Sequence, residues 1–302
     1  MKKKILIIGG TGFIGTNLSL HCLKKKWQVT VLSRKKPNIK IKKVKYILAD
    51  ISKIKDLKKK IKSNYDYIIN LGGNIDHSSR KKTYFTHFVG LKNILDVVKN
   101  LNIEKFLQIG SSLEYEQNKP PHNESMNINQ KKLKSNYSKA KFLSTKFLLN
   151  NQKKFKFNFI IIRLYQVYGP HQKFDRLIPF VIKSCLLNQK FPCSAGTQLR
   201  DFLYIDDVIR GIMLLLKSKK VKKQIINLGF GRPIKVINVI QNIKKIINSG
   251  ELDKGKIPIR KDESLISYPD IKKVYKLVGW KPKIGLLRGL KYTINHYKKK
   301  IK

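Results

Sequence analysis

Tyr137 and Lys141 stand four residues apart in the run Asn136-Tyr137-Ser138-Lys139-Ala140-Lys141. On a helix that spacing puts a phenol and an ammonium on one face, one turn apart. A phenol so placed exchanges a proton with a substrate oxygen, while the cation lowers its pKa and can orient a cofactor ribose. The spacing alone says little in this chain, which holds 13 tyrosines and is rich in lysine, and it recurs at Tyr115/Lys119 and Tyr268/Lys272. Context separates the three. Tyr115 runs into Pro120-Pro121 and Tyr268 precedes Pro269, poor settings for a helix, whereas Tyr137 lies on the helical pattern Leu133–Gln152. Upstream, the apolar run Phe106-Leu107-Gln108-Ile109 delivers Gly110-Ser111-Ser112. A serine hydroxyl at a strand end can hold a substrate oxygen for the tyrosine, and its alternative use is to cap the strand end.

The chain opens on an apolar run, Ile5–Ile8, followed by Gly9-Gly10-Thr11-Gly12-Phe13-Ile14-Gly15 and then by a helical pattern. Strand, tight glycine turn and helix start form a dinucleotide cradle. Gly9 permits the turn, Gly12 lets a pyrophosphate approach the backbone, and Gly15 lets the helix pack close to the strand. Cofactor choice is read at the end of the second strand, where a carboxylate would hold the ribose hydroxyls of NAD. Here the strand ends Leu32-Ser33-Arg34, with Lys35 and Lys36 following. No acid is present to repel a 2′-phosphate and Arg34 can pair with one, so NADP(H) is the expected cofactor, with NAD(H) as the alternative. A solvent-exposed basic turn is the other use for Arg34. Asp50-Ile51 ends the third strand where an adenine would lie. Leu71-Gly72-Gly73 ends the fourth with little bulk against the dinucleotide.

The formal charge of +48 raises the question of nucleic acid. Of the 66 basic residues only nine are arginine, and the 57 lysines are spread over nearly every surface-facing segment. Phosphate and base readers lean on arginine forks with interleaved aromatics, so the charge reads as a compositional bias without a specific nucleic-acid partner. The same field would attract polyanions weakly and would draw in an anionic substrate. Cys22, Cys185 and Cys193 are few, odd in number and far apart, which fits reduced thiols and neither a disulfide framework nor a metal site. No hydrophobic stretch approaches the length of a membrane span, and Met1–Lys4 lead directly into a core strand, so a cytoplasmic protein is expected.

Short apolar runs alternate with helical patterns through the first half. Strands are expected at Ile5–Ile8, Val29–Leu32, Tyr46–Leu48, Tyr67–Leu71, Phe106–Ile109 and Phe159–Leu164. Helices are expected at Gly12–Lys25, Ile54–Lys62, Tyr84–Asn100 and Leu133–Gln152. Such runs suit parallel strands buried on both faces. The fold class is therefore α/β, a doubly wound parallel sheet of Rossmann type with a smaller C-terminal substrate-binding lobe. Residues 1–170 carry the dinucleotide domain, with return segments near 201–230, and residues 171–200 and 231–302 carry the lobe. In that second part a helix is expected near Leu177–Leu187, one strand over Gln198–Tyr204, a helix at Asp206–Leu216 and a strand at Ile225–Leu228.

Taken together, Gly-Gly-Thr-Gly-Phe-Ile-Gly, Ser111-Ser112-Leu113-Glu114-Tyr115, Tyr137 to Lys141, Arg163-Leu164-Tyr165-Gln166-Val167-Tyr168-Gly169-Pro170, Arg200-Asp201-Phe202 and Gly279-Trp280-Lys281-Pro282 resemble the extended short-chain dehydrogenase/reductases. The resemblance is to the NAD-dependent epimerase/dehydratase family, which works on nucleotide sugars, and it covers essentially the whole chain. It implies Ser111 as the catalytic hydroxyl beside Tyr137 and Lys141. It also implies substrate contacts from Ser111, Ser112, Gln166, Arg176, Leu177, Arg200 and Arg260, and a homodimer through helices beside the catalytic one. Gln166 stands where the family usually has asparagine. Members that dehydrate the sugar carry an Asp-Glu pair directly after the catalytic hydroxyl, where this chain has Ser112 and Leu113, so dehydration is not expected. The Gln-Val-Tyr-Gly-Pro, Arg-Asp-Phe and late Arg-x-x-Glu segments are similar to those of the synthases that reduce CDP-linked 4-keto-6-deoxy sugars to abequose or paratose. The expected activity is NADPH-dependent reduction of such a sugar at carbon four, as in lipopolysaccharide precursor synthesis. The alternatives are a carbon-four epimerase with retained NAD and a catalytically silent dinucleotide sensor or RNA-associated protein.

Overall fold

Alternating side chains decide how the first half of the chain folds. In β1 (Lys4–Ile8) and β2 (Gln28–Ser33), Ile5, Ile7, Val29 and Val31 enter one apolar cluster, while Leu6, Ile8 and Leu32 enter another. A strand with two apolar faces is stable only between two layers of helices. The computed structural model, which describes residues 2–37, 40–74, 79–259 and 264–301, has that arrangement. β3 (Val44–Leu48), β4 (Tyr67–Asn70), β5 (Lys105–Ser111), β6 (Asn158–Leu164) and, much later, β11 (Gln224–Leu228) complete a parallel sheet of seven strands in the order β3-β2-β1-β4-β5-β6-β11. One face carries α2 (Ile54–Lys60), α4 (Gly90–Val98) and α5 (Asn136–Asn150) through Leu57, Leu91, Ile94 and Leu148. The other carries α1 (Phe13–Lys24) and α7 (Ile205–Lys217).

Strand order reverses between β1 and β4, so the carboxyl ends of these two neighbours open a crevice at the switch point. Gly9 takes a positive φ of 75° there, and a Cβ on it would lie 2.9 Å from the backbone of Leu71 and Gly72. Gly15 is tighter still. Its Cβ would stand 2.4 Å from Gly10 Cα, which is how closely α1 approaches the turn it grows from.

The second half returns to this frame in pieces. β7 (Gln166–Tyr168) pairs with β10 (Phe202–Tyr204), β8 (Lys190–Cys193) with β13 (Glu251–Lys254), and β9 (Leu199–Arg200) with both β12 (Ile234–Lys235) and β14 (Ile266–Ser267). Helices α6 (Leu177–Leu186), α8 (Val236–Ile247), α9 (Lys272–Val278) and α10 (Leu286–Ile301) add Val181, Val239, Val274 and Leu290 to the cluster that already holds α1 and α7, and Trp280 joins it from the segment between α9 and α10.

Two elements differ from the sequence expectation. The single strand over Gln198–Tyr204 is two strands in different sheets, broken at the fully buried Asp201, whose carboxylate accepts the backbone N–H groups of Phe230 at 2.7 Å and Gly231 at 2.6 Å. The helix expected from Tyr84 begins earlier, as α3 (Arg80–Tyr84), and widens into a π-helical turn at Phe85–Val89 before α4. The extra residue in that turn belongs to the stretch that presents His87 to Gly73 and Tyr137, and such turns gather at functional sites. Among the described residues no helix is long and apolar enough to cross a membrane.

Replacing Gly15 by alanine forces α1 away from the Gly9–Gly12 turn. We expect Gly15→Ala to lower unfolding stability by about 1–3 kcal/mol and to weaken dinucleotide binding, read by denaturant melts and cofactor titration. An unchanged melt would mean that the turn relaxes without cost.

Candidate active site

At the carboxyl end of β5 the chain passes directly into a short 3₁₀ turn, Ser112–Tyr115, closed as a capping box. The Ser111 hydroxyl accepts the N–H of Leu113 at 3.2 Å, and the Glu114 carboxylate accepts the N–H of Ser111 at 2.9 Å. Capping leaves the Ser111 hydroxyl proton available, since a hydroxyl both accepts and donates. The Ser111 hydroxyl is close enough to the Tyr137 phenol to favour its ionised form. Of the two uses open in the sequence, the structure shows the strand-end cap.

Tyr137 enters from the first turn of α5, which Ser135 caps by accepting the N–H of Ser138 at 3.0 Å. One turn on, the buried Lys141 reaches back under the sheet edge and donates to the Ile109 carbonyl at 2.7 Å, with its ammonium 5.6 Å from the Tyr137 ring centroid. Ser111, Tyr137 and Lys141 therefore converge.

Their proton equilibria depart from the sequence expectation that lysine lowers the phenol. Burial pushes Tyr137 up to about 12, and the Ser111 hydroxyl only partly offsets it. Burial also brings Lys141 down to about 8, against the attraction of Glu114. Desolvation of the buried ammonium outweighs that attraction. At neutral pH Tyr137 thus holds its proton.

Around this centre lie the other residues singled out in the sequence. Thr11 and Gly12 are exposed, Phe13 and Ile14 half-buried, and Gly15 is buried. Gly12 is the N-cap of α1 with no side-chain cap, leaving the amide end of a twelve-residue helix open to an anion. Arg34 is exposed just past β2, where Ser33 donates to the Lys35 carbonyl at 2.7 Å. Asp50 folds its carboxylate onto Ser52, accepting its N–H at 2.9 Å and its hydroxyl at 2.8 Å, and Ile51 is buried beside it. Leu71 donates its N–H to Ile8 at 2.9 Å, Gly72 donates to the Asn70 side chain at 3.0 Å, and Gly73 lies flat against His87, whose ring a Cβ there would meet at 1.9 Å. The glycines leave bare backbone at the turn after β1 and at the end of β4.

The expected substrate contacts are less uniform. Ser112 is half-buried, while Gln166 and Leu177 are exposed. Arg176 caps the start of α6, 3.7 Å from Asp175, and its charge acts on Tyr137. Arg200 is buried on β9 and donates to the Leu199 carbonyl at 3.0 Å. Arg260 lies outside the described residues.

Two participants escaped the sequence reading. His87 packs edge-on against Tyr137 with ring centroids 5.0 Å apart, and nothing in its local sequence marks it. Glu114, fully buried, meets Arg163 at 2.8 Å. Its signal was present in Ser111-x-x-Glu114, the spacing of a capping box.

The model of the NAD dependent epimerase/dehydratase family matches residues 5–229. The chain belongs to that family. A UDP-glucuronate 4-epimerase of Thermodesulfobacterium geofontis is 28% identical, covering 72% of this chain and 66% of its own. A CDP-abequose synthase of Salmonella muenchen is 26% identical over 98% of both chains. The crystal structure of a Bacillus cereus UDP-glucuronic acid 4-epimerase with UDP-glucuronic acid and NAD superposes with a TM-score of 0.86 at 24% identity, covering 98% of this chain and 99% of the other. This family member thus shares its fold with enzymes of differing chemistry.

The lowered pKa of Lys141 has a consequence for stability. Unfolded, the ammonium titrates near 10.5; folded, near 8. Between those values the unfolded chain binds more protons, so stability rises with pH across that window, and below pH 8 the folded protein carries the full cost of a buried charge. Ile109 retains a second donor, the Gln108 amide at 3.0 Å, if the lysine is removed. We expect Lys141→Met to be inactive yet more stable than wild type at pH 7, by about 2 kcal/mol, with the gain vanishing toward pH 10.5 in parallel thermal melts. A variant less stable at pH 7 would contradict this.

Proposed function

We propose that this enzyme reduces a nucleotide-linked 4-keto-6-deoxy sugar at carbon four, with NADPH as the exchanged reductant. The observation that carries the reading is the state of the acids and bases around Ser111. Tyr137 holds a proton to give, and among the described residues the Glu114 carboxylate beside Ser111 is bound by Arg163, Thr145 and the Ser111 amide. Elimination of water needs an acid and a base of its own, and here Ser112 and Leu113 stand at those positions. Reduction needs only a proton donor and an oriented oxygen. The CDP-abequose synthase that matches over nearly its full length supports the substrate class.

The proposed step balances simply. NADPH, if held by the glycine turn, would supply the hydride for the C4 carbonyl and would be released as NADP⁺. Ser111 donates a hydrogen bond to the carbonyl oxygen. Tyr137 donates the proton that this oxygen takes up, and Lys141 compensates the charge left on the phenolate and orients the nicotinamide ribose. The glycine turn Gly9–Gly15 would hold the pyrophosphate at the open end of α1, Asp50 and Ile51 would flank the adenine, Leu71–Gly73 would lie along the dinucleotide, and Arg34 would meet the 2′-phosphate. Ser112, Gln166, Arg176, Leu177 and Arg200 would face the sugar nucleotide, the two guanidiniums taking the diphosphate together with Arg260. We further propose a homodimer through helices beside the catalytic α5, where Arg80 and Tyr84 of α3 line a cavity of about 820 Å³.

A carbon-four epimerase with retained NAD is the second reading, favoured by the UDP-glucuronate 4-epimerase relative. Incubation with NADPH or NADH and CDP-, dTDP- or GDP-linked 4-keto-6-deoxyhexoses separates the two. Stoichiometric NADPH loss with a reduced sugar is expected. Sugar conversion without net cofactor loss would turn the assignment to epimerisation. Tyr137→Phe should reduce turnover by about 10³-fold or more with cofactor affinity within about twofold, and near-normal turnover would remove Tyr137 from the role. Arg34→Asp should move preference from NADPH toward NADH; an unchanged ratio would mean that this turn does not read the phosphate.

A further inference from the structure

One carboxylate ties together the three elements that carry the site. Glu114 Oε1 accepts the N–H of Ser111 at the end of β5, and Oε2 accepts both the Thr145 hydroxyl at 2.7 Å and the Arg163 guanidinium on β6 at 2.8 Å. Thr145 is buried on α5 one turn beyond Lys141, on the face that carries the reacting groups. Room for the carboxylate comes from Gly110, where a Cβ would stand 2.6 Å from Glu114 Oε1. A second acid from the same turn fixes the start of the helix, since Glu116 Oε1 accepts the Ser138 hydroxyl at 3.0 Å and the N–H of Lys134.

We propose that Glu114 is a positioning residue that clamps the Ser111 backbone and the Lys141 side of α5 to one carboxylate, so that the Ser111 hydroxyl and the Tyr137 phenol meet the same substrate oxygen. The inference rests on the reading of Ser111, Tyr137 and Lys141 as the reacting centre. The strand end and α5 are separate pieces of chain, joined by residues 112–135, whose regular structure is two short 3₁₀ turns. Without a fixed link their relative position would drift, and misplacement by an ångström in such a site is enough to cost about 10²-fold in rate. A carboxylate suits the task because its two oxygens accept several bonds at once.

A purely structural ion pair would behave differently, and three variants distinguish the two roles. Glu114→Ala removes the ion pair and both tethers. Arg163→Met removes the same ion pair and leaves both tethers. Thr145→Val removes one tether and no charge. Both ion-pair variants should lose melting temperature alike, because each strands one buried charge. Glu114→Ala should lower kcat about 100-fold with KM nearly unchanged, whereas Arg163→Met should keep kcat within about threefold. Thr145→Val should lower kcat about fivefold, the worth of one hydrogen bond. Hydrogen exchange over residues 136–148 supplies a readout that needs no substrate, and it should quicken in Glu114→Ala and Thr145→Val but stay as wild type in Arg163→Met. If Glu114→Ala does not fold, the other two variants decide. Arg163→Met as slow as Glu114→Ala, an unaltered Thr145→Val, or equal exchange in every folded variant would overturn the clamp. Failure of the wild type to turn over any nucleotide sugar would count against the substrate assignment alone, leaving the exchange pattern to judge Glu114.

Discussion

The buried Glu114 carboxylate, which holds the Ser111 amide and the Thr145 hydroxyl beside the Arg163 guanidinium, is the constraint on which the geometry of this site depends. Taking two full charges out of water costs several kcal/mol for each ion, and their mutual attraction offsets this only when every remaining lone pair and proton is also satisfied. The surroundings meet much of that demand. Glu114 has the Ser111 amide and the Thr145 hydroxyl besides the guanidinium, and the Arg163 guanidinium carbon lies 4.3 Å from the centroid of the Tyr115 ring, within cation–π range. Tyr115 in turn donates to Asn227 at 3.1 Å, and its ring stacks on His122. Asn227 donates to the His122 carbonyl at 3.0 Å and belongs to β11, the last strand of the sheet. Polar groups at the carboxyl edge are thus joined from β5 across β6 to β11, and the lobe is anchored at the same edge through the N–H of His122, which donates to the Tyr268 carbonyl at 2.9 Å.

Such a network is expensive to leave half-made, which gives it the power to specify position. Its reach explains why Tyr115 cannot serve as the acid of the site despite its spacing to Lys119. The Tyr115 phenol is committed to Asn227 and its face to a guanidinium and an imidazole. Tyr137 lies outside that network, at the start of α5, with the His87 ring edge-on to its own. Two tyrosines with the same local spacing to lysine differ because one lies inside the polar network and the other at its rim.

Protonation follows from the same burial. Burial lowers the pKa of the Lys141 ammonium and raises that of the Tyr137 phenol, since each charged form loses water. In this state the centre favours giving a proton over taking one, which matches the proposed reduction better than an oxidation first. The abundant surface lysine plays no part in that balance. It acts at longer range, as a field that raises the local concentration of anionic ligands and weakens as salt is added.

Sequence by itself determined the layered frame, because the signals are local. Two-faced apolar runs specify parallel strands between helices, the spacing of Gly9, Gly12 and Gly15 specifies a turn into a helix, and the place of Tyr137 on a helix away from proline separates it from Tyr115 and Tyr268. The capping-box spacing from Ser111 to Glu114 was equally local, yet its meaning depended on Arg163 and Thr145, which are 49 and 31 residues away from Glu114 in the chain. Only the tertiary structure could decide that this acid is tethered, that Asp201 breaks one expected strand into two by serving the turn at Phe230 and Gly231, and that a π-helical turn brings His87 to the catalytic helix. It also reversed the expected effect on the phenol. Spacing reports which charges are near one another along the chain, while desolvation depends on what the rest of the fold packs around them.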